Sequence, residues 1–136
     1  MRITIAVAIV ATGLLAATPA SAGRDAPIED LIDIPVATVS GNPVTLDVLA
    51  RAIVSGCARR GWVCEVTSPG EIKGVLNIRT HRAEVRIPYD TAKYSILYVS
   101  SENLRYDAEE KTIHRNYNKW VANLRNDINS AIALLP

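Results

Sequence analysis

Beyond its first 22 positions the chain has no long hydrophobic run, and it holds only two cysteines, two histidines and one methionine. A metal centre needs three or four His, Cys or carboxylate ligands at workable spacing. His81 and His114 lie far apart in sequence, and Met1 would leave with the N-terminus, which removes a thioether copper site from the mature chain. The Gly-rich phosphate loop is missing, and Ser100 and Ser101 lack a Gly-x-Ser-x-Gly elbow. Glu65, Glu71, Glu84 and Asp90 are spread over strands and turns rather than aimed across a cleft. A formal net charge of +1 gives no reason to expect nucleic acid as a partner. These absences lead us to expect no catalytic residue, no metal and no cofactor. The competing reading is a small hydrolase or metal-binding envelope protein that uses His114, and a third is a purely structural envelope protein.

The first 22 residues read as a cleaved secretory signal. Arg2 supplies a positive start, Ile3 to Ala17 is almost unbroken apolar sequence, and Ala20-Ser21-Ala22 is a small-x-small cleavage site. The run is too short for a comfortable membrane span, so no transmembrane segment is expected in the mature chain. Residue 23 is Gly rather than Cys, which does not fit a lipid-anchored form. Export to the bacterial periplasm is the expectation.

At 136 residues the chain has room for one domain. Residues 23–43 carry Pro27, Pro35 and Pro43 and, with Asp47 just beyond, set one arginine against five carboxylates. We expect an extended acidic arm that closes with a turn at Ser40-Gly41-Asn42-Pro43. Weak alternation of Ile34, Val36 and Thr38 leaves room for a short edge strand.

Residues 44–136 form the domain. Leu46, Leu49, Ile53 and Cys57 recur at helical spacing behind a Thr45 N-cap, and Arg59 and Arg60 suit the helix C-terminus. Gly61 fits a left-handed C′ position, which makes Trp62 the C″ residue in contact with Cys57. Cys64, two residues on, points to the same side of a strand. In an oxidising compartment this arrangement favours a Cys57–Cys64 disulfide, worth roughly 2.5 kcal/mol for so short a loop. Two buried free thiols are the alternative if the backbones lie more than about 7 Å apart.

Four strands should follow, Trp62–Thr67, Ile72–Thr80, Ala83–Tyr89 and Tyr94–Ser100. A turn at His81-Arg82, poor chemistry for a two-residue loop, would set Thr80 opposite Ala83, Ile78 opposite Val85, Leu76 opposite Ile87 and Gly74 beneath Tyr89. The same register sets Arg79 against Glu84 and Asn77 beside Arg86. Tyr89 opposite Tyr94 brings Ile87 to Ile96 and Val85 to Tyr98. Pro88 calls for a bulge or an end to pairing on one side. Ser100–Leu104 is a loop, anchored by Leu104 and Tyr106. Ile113, Tyr117, Trp120, Leu124, Ile128 and Ile132 then mark an amphipathic helix that begins near Ala108 or near Asn116.

Arg60-Gly61-Trp62, Pro69-Gly70-Glu71-Ile72, Tyr94-Ser95-Ile96-Leu97-Tyr98, Ser101-Glu102-Asn103-Leu104 and Ile113-His114-Arg115-Asn116-Tyr117-Asn118-Lys119-Trp120 resemble a family of small exported bacterial proteins and lipoproteins without a characterised function. The likeness spans residues 45–130 and is most specific in its last block. It implies an envelope location and one compact domain, and it carries no activity or ligand. Some members begin the mature chain with a lipid-bearing Cys, which this chain lacks.

The expected architecture is therefore α+β, a four-stranded antiparallel meander with two helices on one face, in the order α-β-β-β-β-α. Its other face would be open and would carry Lys73, Asn77, Arg79, Glu84 and Arg86 beside Val75, Leu97 and Val99. Asn77, Arg79, Arg86 and Leu97, with His114 and Asn118 on one face of the last helix, are the candidate binding residues for an envelope protein or an anionic ligand. The acidic arm, residues 24–39, is a candidate cover for that face. A monomer or weak homodimer is expected.

Overall fold

The computed structural model describes residues 23–136, and the expected signal sequence lies outside them. The elements in chain order are β1 (Asp25–Pro27), β2 (Leu31–Pro35), α1 (Leu46–Ala58), β3 (Trp62–Ser68), β4 (Glu71–Ile78), β5 (His81–Pro88), β6 (Lys93–Glu102), β7 (Thr112–His114) and α2 (Asn116–Ala133).

Helix α1 starts where a side chain can satisfy its free amides. Thr45 is extended, and its Oγ1 accepts from the Val48 N–H at 3.3 Å. Leu49, Ile53 and Cys57 are fully buried along one stripe. The last turn tightens, with Arg59 N–H donating to Gly56 O and Arg60 N–H to Cys57 O. That extra turn makes Arg59 the C-cap and puts Gly61, at φ +80°, one place beyond C′. Trp62 then enters β3 buried against the helix. The Cα atoms of Cys57 and Cys64 are 6.1 Å apart and their sulfurs are bonded. Gly74 makes room for the bridge, because a Cβ there would lie 3.1 Å from Cys64 Sγ and 3.0 Å from Val85 Cγ2.

The chain is α+β, but the main sheet has five strands, in the order β2-β6-β5-β4-β3, with neighbours antiparallel. The fifth comes from the arm, as β2 pairs Leu31 with Ile96 and Ile34 with Tyr94. The strand uses Leu31 and Ile34 as its half-buried residues, not the 34-36-38 alternation, because a bulge separates them. A second, two-stranded sheet joins β1 to β7 through Asp25–His114 and Ala26–Ile113. The arm therefore extends one edge of the sheet and does not lie across the open face.

The β4–β5 register differs from the expected one. The turn is Arg79-Thr80, not His81-Arg82, so Ile78 faces His81, Leu76 faces Ala83, Gly74 faces Val85 and Ile72 faces Ile87. Arg79 adopts φ +56°, and the turn is braced from outside the hairpin. Asn103 Nδ2 donates to Thr80 Oγ1 at 2.7 Å, and His81 Nδ1 lies 2.6 Å from the Asn103 carbonyl. The β5–β6 register around Tyr89–Tyr94 and Val85–Tyr98 is the expected one. Pro88 closes β5, and the bulge falls between Glu84 and Val85 instead.

Both helices pack on one face of the main sheet. There, Ile72, Val85, Ile87, Tyr94 and Ile96 are buried with Leu49 and Ile53 of α1 and Tyr117, Leu124, Ile128 and Ile132 of α2. Tyr94 O–H donates to Asn129 Oδ1 at 2.6 Å, and Tyr117 meets Tyr98 edge-on at 5.5 Å. Helix α2 starts at Asn116; Asp107–Glu110 is a turn, with Asp107 Oδ1 accepting from Glu109 and Glu110 N–H. Ile113 belongs to β7, and Val121 replaces the half-buried Trp120 in the buried stripe. Gly56 lets the helices touch. A Cβ there would sit 2.7 Å from Ile128 Cα and 2.9 Å from its N.

Candidate functional site

The sheet face away from the helices carries alternate residues of β3 to β6. From β3 inward, one row sets Val63 beside Val75 and then Glu84, and the next sets Glu65 beside Lys73, Arg86 and Leu97. Val63 is 71 % exposed and Val99 47 %, while Val75 and Leu97 are half-buried. Between these two apolar ends lies a set of paired charges. Glu84 Oε1 is 3.2 Å from Arg82 Nη2 and 3.4 Å from Lys73 Nζ. Arg86 Nη1 donates to both carboxylate oxygens of Glu71, at 3.0 and 3.2 Å. Pairs this exposed contribute at most about 1 kcal/mol each. They do mean that an incoming anion must compete with Glu71 for Arg86.

Of the six expected binding residues, the structure brings Arg86 and Leu97 together as direct cross-strand neighbours. Asn77 shares their face but lies opposite Arg82, not beside Arg86. Arg79 sits at the hairpin tip, away from Glu84, whose partners are Lys73 and Arg82. Both corrections follow from the shifted turn.

His114 and Asn118 do not share a helix face, because His114 lies in β7. Each has local work. His114 Nδ1 accepts from Asn116 N–H at 3.2 Å, capping α2 where Arg115 offers no side chain. Asn118 donates from Nδ2 to Pro27 O at 2.9 Å and accepts on Oδ1 from Glu29 N–H at 3.1 Å. The corner fastens the arm to α2. His81 lies against Trp120, with ring centroids 6.1 Å apart. Among the described residues no group of three or more His, Cys, Asp or Glu is placed to hold a metal ion, and no helix is long and apolar enough to cross a membrane.

The phenols of Tyr94 and Tyr117 are pushed well above their ordinary range by burial in the core. The Tyr117 hydroxyl is buried without a hydrogen-bond partner, and the nearby Asp30 carboxylate adds to the upward push. Neither phenol reaches the open face.

Val63 was missing from the expected site although its position is legible. It sits between the inward-facing Trp62 and Cys64 and must point outward. The expected meander already ends at β3; what strand periodicity did not signal is that β2 covers the opposite end, beside β6. No family model matches the chain, and neither a curated protein nor a solved structure matches it, so the likeness to small exported bacterial proteins rests on its motif residues alone.

Proposed function

We propose that the chain is a small non-enzymatic protein of the bacterial periplasm that binds an envelope partner through its open sheet face. One observation carries the reading: a face that neither helix covers presents Leu97 beside Arg86, with exposed Val99 near them and exposed Val63 at the far end. Apolar side chains next to an arginine, on a rigid antiparallel support, are the usual composition of a partner surface. Export is supported by the charged, apolar and small-residue order of the first 22 positions and by the Cys57–Cys64 bridge, which persists in an oxidising compartment.

The test is a backbone amide map titrated separately with cell-wall fragments, anionic lipid headgroups, zinc and copper. Saturable shifts at Val75, Arg86, Leu97 and Val99 with fragments or headgroups are expected. Metal-induced shifts centred on His81 or His114 would favour the histidine-dependent alternative. A map silent to all four would refute small-ligand binding at this face and leave only a protein partner.

A further inference from the structure

The two edges of the main sheet are built differently. The β2 edge is unfit for further pairing, because it is bulged between Leu31 and Ile34, turns through Asp33 at φ +53° and ends in Pro35. At the other end β3 pairs regularly with β4 from Trp62 to Val66. Among the described residues no strand pairs with its outer edge. That edge has no proline, no bulge before Ser68 and a single charge, Glu65. Its unpaired N–H and C=O groups form a template for an added strand.

Alongside this edge runs α1, and between them lies an apolar slot of about 300 Å³ lined by Ala50, Val54 and Val66, with Arg51 and Ser55 at its rim. A second cavity of about 330 Å³ continues the slot toward Pro69, sharing Ala50, Arg51 and Val66. Val66 is 45 % exposed although it points to the helix side of the sheet. Arg51 is exposed and takes part in none of the ion pairs among the described residues.

We propose that β3 and α1 form a docking groove for an extended peptide, which joins the sheet as a further strand. One aliphatic side chain fills the Ala50–Val54–Val66 slot, and a carboxylate two residues away faces Arg51. This spacing follows from strand geometry, since alternate side chains fall on the same side. Main-chain bonds to β3 supply affinity and the two α1-facing positions supply selectivity. A second copy is a poor occupant. The residues its β3 would turn toward α1 are Trp62, Cys64 and Val66, none of which offers a carboxylate to Arg51. The site is separate from the open sheet face, and each reading stands or fails without the other.

The test uses isotope-labelled, oxidised protein and a short blocked peptide, alternating Thr and Val, with Leu and Glu two positions apart. The control peptides replace the central residue by Pro or the Glu by Lys. Saturable shifts are expected at Cys64–Val66 and Ala50–Val54, lost with the Pro peptide. Arg51→Glu, at an exposed position, should weaken the Glu peptide by roughly three- to tenfold and should favour the Lys peptide by a similar factor. The variant's unchanged amide pattern elsewhere would show that it folds. Four results would each overturn the proposal: no binding at millimolar peptide, binding that moves Val75 and Leu97 instead, indifference to the Arg51 charge swap, or concentration-dependent shifts at β3 without peptide, which would mark a homodimer edge.

Discussion

Gly56→Ala sets two effects of opposite sign against each other. In an exposed helix interior, Gly to Ala stabilises by about 1 kcal/mol. Gly56, however, lies where α1 crosses α2, and the new methyl would stand 2.7 Å from Ile128 Cα, 2.9 Å from its N and 3.0 Å from Asp127 O. Carbon atoms prefer about 3.5–4.0 Å. Because all three obstacles are backbone, no rotamer can yield, and the helices must separate by roughly 1 Å. A gap of that size forfeits about a quarter to a half of each dispersion contact along the seam, which includes the fully buried Ile53 and Ile128. Overpacking of this kind costs about 1–3 kcal/mol, and backbone obstruction argues for the upper end. After the propensity gain, a net loss of about 1–2 kcal/mol remains, or roughly 4–10 °C in Tm for a domain of this size. Urea unfolding of the oxidised protein measures it, with Ser55→Ala, exposed in the same helix, as the control. Equal or greater stability of Gly56→Ala would refute the close crossing.

The bridge closes a sequence separation of 7, so replacing Cys57 and Cys64 by Ser should lower the unfolding free energy by roughly 2.5 kcal/mol, read from urea midpoints with and without reductant. Asn118→Ala removes both side-chain bonds to the arm, and amide exchange at Glu29 should quicken by an amount equivalent to about 1–2 kcal/mol while α2 keeps its protection. For pH, the unfolded phenols of Tyr94 and Tyr117 release their protons near 10.0 whereas the folded ones hold them. The folded state then binds more protons, so stability is intact below pH 10 and falls above it, by up to about 1.4 kcal/mol per pH unit for each tyrosine. Ultraviolet titration followed alongside far-UV dichroism checks this; ionisation of both phenols without unfolding would contradict their burial.

How much of the fold was legible depended on whether a signal was local. The Thr45 cap, the 49-53-57 stripe and the facing cysteines are set within about twenty residues, and all stand in the structure. The β5–β6 register was legible because Asp90 makes a turn of its own, its Oδ1 accepting from Ala92 and Lys93 N–H at 2.7 and 2.9 Å. Those two donors also hold the Asp90 carboxyl below its ordinary range. The β4–β5 register was not legible, for a specific reason. Moving the turn from His81-Arg82 to Arg79-Thr80 leaves every side chain on its original face, and hydrophobic alternation constrains only that parity. What selects Arg79-Thr80 is Asn103, more than twenty residues away, bonding to Thr80 and meeting His81. Likewise β2 is a strand by its pairing with the distant β6, and Ser95 Oγ accepts from Asp33 N–H at 2.9 Å within its bulge, neither of which its own sequence pattern signals.

The same distinction explains the candidate site. Arg86 and Leu97 were found because both lie on the hairpin whose register was readable, while Asn77 and Arg79 were misplaced with the one that was not. His114 and Asn118 drew notice as polar residues beside a strong helical stripe, and in the fold that polarity serves the arm: Asn118 satisfies Pro27 O and Glu29 N–H, and His114 satisfies Asn116 N–H. Buried or half-buried backbone groups need partners wherever a non-helical segment crosses a helix end. A polar side chain at such a crossing is committed before any ligand arrives. The side chains left uncommitted include different ones, among them Arg51 beside the apolar slot and the valines at positions 63, 66 and 99. Of these four, three lie on the β3 side of the molecule, where the unpaired strand edge and the apolar slot also meet.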